Sequence, residues 1–194
     1  MPIIDNLKRT ALNIILSFIC IILFSSCGYK NLVVLEDDVN MKWSNVENDC
    51  MERMDVAARY LQLNGIDNLE DKRLIVRIKY ARNKALEVSK EMNPENLNQS
   101  LLNNYEDAQL ELNLRVKEIN AEINKDPYIR TDPEWIQLKS NMKHIDSSAY
   151  RDMLLYNNAA IKYNDSRQNP WRISVAKFAG LQPVGYFQKM NVIK

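Results

Sequence analysis

Residues 32–63, LVVLEDDVNMKWSNVENDCMERMDVAARYLQL, decide the fold. Their apolar positions Leu32, Leu35, Val39, Trp43, Val46, Cys50, Met54, Ala57 and Leu61 are separated by 3, 4, 4, 3, 4, 4, 3 and 4 residues. Such spacing holds these side chains on one stripe of an α-helix, with acidic, amide and lysine residues behind it. A helix with one apolar stripe must bury it against other elements. Asn64-Gly65 ends this first helix, glycine suiting the left-handed cap.

Three further long helices follow. The second spans about Asp71 to Met92, carries Leu74, Ile78, Ala81, Ala85, Val88 and Met92 near a heptad spacing, and stops before Asn93-Pro94. The third runs from near Glu95 to before Asp126-Pro127, with Leu97, Leu101, Tyr105, Ala108, Leu112, Val116, Ile119 and Ile123 as its stripe. The fourth begins at Thr131-Asp132-Pro133-Glu134, where Asp132 caps and Pro133 fits the first helical position, and continues to about Arg167. A short apolar helix at Ile173–Phe178 precedes Gly180 and Pro183 in an irregular tail. The first and third stripes repeat every eleven residues, which favours straight or slightly right-handed packing. Short connections make sequential helices antiparallel neighbours. At 1.5 Å per residue, helices of roughly 22 to 37 residues are about 33 to 55 Å long. The expectation is an all-α, elongated antiparallel four-helix bundle with a short C-terminal helix and an irregular tail.

The chain opens differently. Lys8 and Arg9 precede an apolar run from Ala11 to Phe24 broken only by Asn13 and Ser17. As a helix this run reaches about 21 Å, short of a hydrocarbon core of about 30 Å, which suits a signal peptide better than a permanent span. Ser25-Ser26-Cys27, small-small-Cys after the apolar run, resembles the lipobox of bacterial lipoproteins, with Phe24 where leucine is usual. That resemblance implies diacylglyceryl attachment at Cys27 and cleavage after Ser26; the alternative is an uncleaved signal anchor. The organisation expected is a signal peptide at 1–26, the lipidated cysteine and a short tether at 27–31, and the helical domain at 32–194. Several acyl chains, each CH₂ worth about 0.8 kcal/mol when buried, hold a protein stably on a bilayer. Gly28 is not the aspartate that often retains lipoproteins in the inner membrane, so by analogy the periplasmic side of an outer membrane is favoured in a Gram-negative cell.

Composition narrows the function. The chain has 194 residues, 46% hydrophobic, with only 4 Gly and 6 Pro. Loss of residues 1–26 removes two of the 26 basic and one of the 25 acidic residues, leaving 24 of each. A chain so balanced has no long-range field to gather nucleic acid. The only histidine, His144, has Asn141 three residues before it, so the Glu-x-x-His pairs of dimetal bundles are missing. With Cys50 as the only free thiol after Cys27, zinc chemistry is not expected, and neither a nucleophile elbow nor a phosphate-binding loop is present. No cofactor is expected. Cys50 reads either as a small buried apolar residue or as a thiol that pairs between chains.

The segments Tyr29-Lys30-Asn31-Leu32-Val33, Trp43-Ser44-Asn45-Val46-Glu47 and Arg53-Met54-Asp55-Val56 resemble the opening of LemA family proteins. Asp126-Pro127-Tyr128, the paired Tyr156-Asn157 and Tyr163-Asn164, Phe178-Ala179-Gly180-Leu181 and Gln182-Pro183-Val184-Gly185-Tyr186-Phe187 resemble the rest. The match departs in lacking a proline after Asp55, and in carrying Ile145-Asp146 where the family has Thr-Glu and Met153 where it has Arg. This is the pattern of a divergent member. The resemblance implies a long helical bundle outside the cytoplasm with an N-terminal membrane anchor, and leaves the biochemical role open.

Two aromatic groups stand out. Tyr156 and Tyr163 are seven apart, as are Asn157 and Asn164, and each pair lies on one helix face. They either pack into the seam, with the asparagines bonding backbone or neighbouring helices, or form a strip that docks a partner. Trp171, Phe178, Tyr186 and Phe187 either cover the open end of the bundle or form a patch for a partner or a lipid headgroup layer. Tyr156, Asn157, Tyr163, Asn164, Trp171, Tyr186 and Phe187 are thus the candidate partner surface, and Cys27 the lipid site. The functional expectation is a non-enzymatic scaffold or adaptor for envelope proteins. The rival is self-association of the rods into a membrane-shaping assembly, and a ligand binder or enzyme using a cleft comes third.

Overall fold

The structure, a computed structural model, describes the backbone of residues 2–189 and the side chains of residues 28–189. The side chains of the expected signal peptide and of Cys27 lie outside the described residues. The elements are α1 (Pro2–Tyr60), α2 (Arg73–Glu91), α3 (Gln99–Ile123), α4 (Pro133–Gln168) and α5 (Ile173–Phe178), with single 3₁₀ turns at Ile66–Asn68, Pro94–Asn96 and Ile129–Thr131. The protein is all-helical, a bundle of four long helices. Asp132 accepts the Glu134 N–H at 2.7 Å beside Pro133, so the fourth helix is capped as expected. Asn98 caps α3 by accepting the Leu101 N–H at 3.1 Å. Among the described residues, no helix is long and apolar enough to cross a membrane.

The apolar stripes are the core. On α1 Leu32, Val39, Trp43, Val46, Cys50, Met54 and Ala57 are all buried. Three positions differ by one residue: Tyr60 rather than Leu61 is buried on α1, Ser89 rather than Val88 on α2, and Leu102 rather than Leu101 on α3. The expected tether at 27–31 is not a separate segment, because α1 runs through it without a break. Nothing there stops a helix, and the helix is held from the side. Gly28 faces the Arg172 side chain, Ser166 Oγ donates to Asn31 Oδ1 at 3.4 Å, and Leu32 is buried.

The first helix does not pack closest to its sequence neighbour. α1 packs mainly along α4, and α2 along α3. Small residues suit the choice: Ala81 and Ala85 on α2 share one core with Ala108 and Leu112 on α3, while α4 brings Ala149, Ala159 and Ala160 into the core it shares with α1. Small side chains let helix backbones approach, and the α3–α4 seam, which joins sequential helices, is left wider. The core has two storeys. One, at the far end, joins Met54, Tyr60, Ile78, Leu112, Ile119, Trp135 and Leu138 from all four helices. The other joins Val39, Trp43, Leu97, Tyr105, Tyr156, Tyr163 and Phe187. α2 touches this second storey only at its C-terminal end, through Val88 and the following Met92, and the chain after α5 completes it.

Cys50 is fully buried, and burial pushes its thiol up from the ordinary cysteine range. Among the described residues the interchain pairing that favoured self-association therefore has no exposed thiol to use, and the apolar seams that also favoured it lie inside the bundle. Cys50 is expected to react with a maleimide only after denaturation, as read by mass spectrometry of its peptide. Labelling of the folded protein at the rate of an exposed thiol would contradict this burial.

Candidate functional site

The wide α3–α4 seam carries most of the buried polar chemistry. α5 ends in a Schellman turn: the Leu181 N–H donates to the Ala176 carbonyl and the Gly180 N–H to Lys177, with Gly180 at φ +72°. This turn sends residues 181–189 back along the seam. Here side-chain amides do the work of a neighbouring strand. Asn164 Nδ2 donates to the Val184 carbonyl (2.8 Å) and its Oδ1 accepts the Val184 N–H (3.1 Å). Asn157 holds Phe187 in the same two-bond fashion, both at 2.9 Å. From the other wall, Gln99 holds Tyr186 with bonds of 2.8 and 2.9 Å. Glu106 accepts the N–H groups of Gln188 (3.0 Å) and Lys189 (2.6 Å).

Single bonds fill the gaps. Arg167 donates to the Leu181 carbonyl, Tyr163 to Gln182 and Tyr156 to Gly185. Gly185 in turn donates its N–H to the Leu97 carbonyl at 2.7 Å. A Cβ at Gly185 would lie 2.7 Å from the Gln99 Cα, so only glycine allows this approach. Burial pushes the Tyr163 hydroxyl up to about 12, and that of Tyr156 upward as well, so both remain protonated donors. Below the segment, the Phe187 ring stacks on Trp43 at 6.3 Å and meets Tyr156 edge-on at 5.4 Å.

The candidate partner surface is thereby corrected. Tyr156, Tyr163, Asn164 and Phe187 are buried, Asn157 and Tyr186 are half-buried, and together they bind the protein's own tail. A seven-residue spacing on α4 matches an extended chain held every third residue, since about 10.5 Å of helix equals about three residues of strand. The tail has no regular secondary structure, as expected, but is seated along its length. Trp171 alone of the group is exposed, at 90%, and Phe178 is 97% exposed.

Farther along, the buried Arg53 guanidinium donates to Asp146 Oδ1 at 2.8 and 3.1 Å and to Gln109 at 3.4 Å. Beyond the tail the seam opens into a groove of about 640 Å³, lined by residues 113–120 of α3 and 136–150 of α4. Its floor includes Asn113, only 3% exposed, with neither side-chain amide atom hydrogen-bonded. His144 is exposed, and no group of three metal-ligating side chains forms among the described residues.

Sequence reading missed Arg53, Gln99, Glu106, Asn113 and Asp146 as site residues. Gln99, Glu106 and Asn113 are seven apart on α3, a polar row that shares its helix with the apolar stripe and could have been found beside it.

Comparison with known protein families matches residues 42–193 to the LemA family. Comparison with curated proteins finds no match.

Proposed function

The chain belongs to the LemA family, and from that premise we propose that it is a lipoprotein, anchored through acyl chains on Cys27, whose bundle serves as a non-enzymatic scaffold or adaptor for other envelope proteins. The family is not a known family of enzymes. One observation carries the reading: Gly28, next to the lipidation cysteine, rests against Arg172 at the start of α5, the element flanked by the exposed Trp171 and Phe178. The anchor and the two large exposed rings therefore lie at one end of the bundle. Indole rings suit the headgroup layer, and Arg172 and Lys177 suit anionic lipid. Because α1 continues through 28–31 as helix, the anchor orients the body instead of tethering it loosely, and the far storey stands away from the bilayer.

Two measurements test this. The protein has three tryptophans, of which Trp43 and Trp135 are buried. Brominated phospholipid in proteoliposomes is expected to quench Trp171 alone, and the quenching to vanish in Trp171→Phe. An unquenched Trp171 would remove the membrane-facing end. In cells, crosslinking followed by mass spectrometry is expected to recover a heterologous envelope protein from the native chain, and to lose it with Cys27→Ser. Crosslinks between copies alone would overturn the adaptor in favour of self-assembly.

A further inference from the structure

The tail and the open groove are two stretches of one seam. Along α3 the polar row Gln99, Glu106, Asn113 advances by seven residues, and its first two members hold the main chain of residues 186–189. Asn113 is the next step. Its donor and its acceptor are both buried and both unpaired, and Gln109 Nε2 nearby is unpaired as well. A buried polar group left without a partner is destabilising, and a peptide unit, one N–H and one C=O, satisfies a side-chain amide on both atoms. The same chain does this at Asn157, Asn164 and Gln99. A phosphate or a fatty-acid carboxylate would engage the Asn113 donor and leave its acceptor facing an anion.

Charge defines the partner further. Lys117, Lys139 and Lys143 line the groove, and none is in an ion pair among the described residues. Lys139 lies over the Trp135 ring and donates to Asn124 Oδ1, contacts that bring it no carboxylate. Asp146, the carboxylate in the lining, is taken up by Arg53. Val116 and Ile136 supply apolar wall. Residues 190–194, MNVIK, follow the tail in sequence but bring a cation and no acidic side chain, which mismatches a lysine rim.

We infer that the α3–α4 groove binds an extended acidic peptide segment of a partner protein, its main chain on Asn113 and its carboxylates on Lys117, Lys139 and Lys143. This deepens the adaptor reading and rests on it. The Asn113 atoms are closed from solvent beneath the groove, so binding displaces rim side chains.

The test uses the detergent-solubilised full chain and a fluorescent eight-residue peptide alternating Glu with Val, against its Lys–Val counterpart. Fluorescence anisotropy is expected to detect the acidic peptide only. Asn113→Leu should weaken binding by about tenfold or more while raising the thermal midpoint, because it removes an unpaired buried amide. A role in packing alone would not separate the two. Lys117→Glu with Lys143→Glu, both exposed, should weaken binding by about tenfold without changing the midpoint. Absence of acidic-peptide binding, or binding indifferent to these substitutions, overturns the proposal. So does binding that arises only when residues 190–194 are deleted, since the groove then belongs to the chain's own segment. In-cell crosslinks to an envelope protein that persist in Asn113→Leu would keep the adaptor and reject this groove as its site.

Discussion

Asp146→Ala is expected to lower the stability of the domain by about 3 kcal/mol, read as a shift in urea midpoint at constant slope. The substitution leaves the Arg53 guanidinium, fully buried, without the carboxylate that takes two of its N–H groups. Arginine does not escape by deprotonating, so the charge stays and its desolvation is uncompensated. Asp146 is 20% exposed, and water entering the vacated space keeps the loss toward the lower end of the range for buried pairs. The double variant Arg53→Met with Asp146→Leu should recover most of the loss, because removing both charges removes the desolvation cost too. A stability loss of under about 0.5 kcal/mol for Asp146→Ala would show that the pair contributes no more than a surface ion pair.

Phe187→Ala is the second large effect, about 3 kcal/mol. The ring fills the space among Trp43, Tyr156 and the tail backbone, and the stacked and edge contacts vanish with it. The loss should concentrate where the ring sits. Hydrogen exchange at the Val184, Gly185, Tyr186, Phe187, Gln188 and Lys189 amides is expected to accelerate by about a hundredfold, ahead of amides in the far storey. Unchanged protection at these positions would mean that the side-chain amides hold the tail without the aromatic cluster beneath it.

The helices were legible in sequence because each announces itself by an apolar period and a polar or proline stop. Asp132-Pro133 opened α4 and Asn93-Pro94 closed α2 in the chain as in the structure. The stripes were right to within a residue: Leu61 and Leu101 fit the spacing as well as their neighbours Tyr60 and Leu102, and only tertiary packing separates them. The pairing of α1 with α4 was not legible. It depends on which helices present small residues to each other, which a single stripe does not reveal. The tail was least legible of all. Its pairing partners are amide side chains on two helices, so residues 181–189 carry no alternation of their own, and the paired asparagines read equally well as a docking strip. They do dock a peptide segment, and it is the protein's own. Arg53 escaped because a lone basic residue beside an apolar stripe ordinarily lies on the solvated face, and its partner is 93 residues away.

That separation has a kinetic side. The principal seam joins the first long helix to the last, and the second storey closes only when residues 181–189 arrive. Helical bundles with mostly local contacts fold fast, whereas contacts between distant parts of the chain demand loop closure before they give any return. A growing chain would display the α1 stripe, Trp43 included, with no partner until α4 has emerged. Prolonged association with chaperones, ending abruptly once α4 and the tail are available, is the behaviour this connectivity imposes.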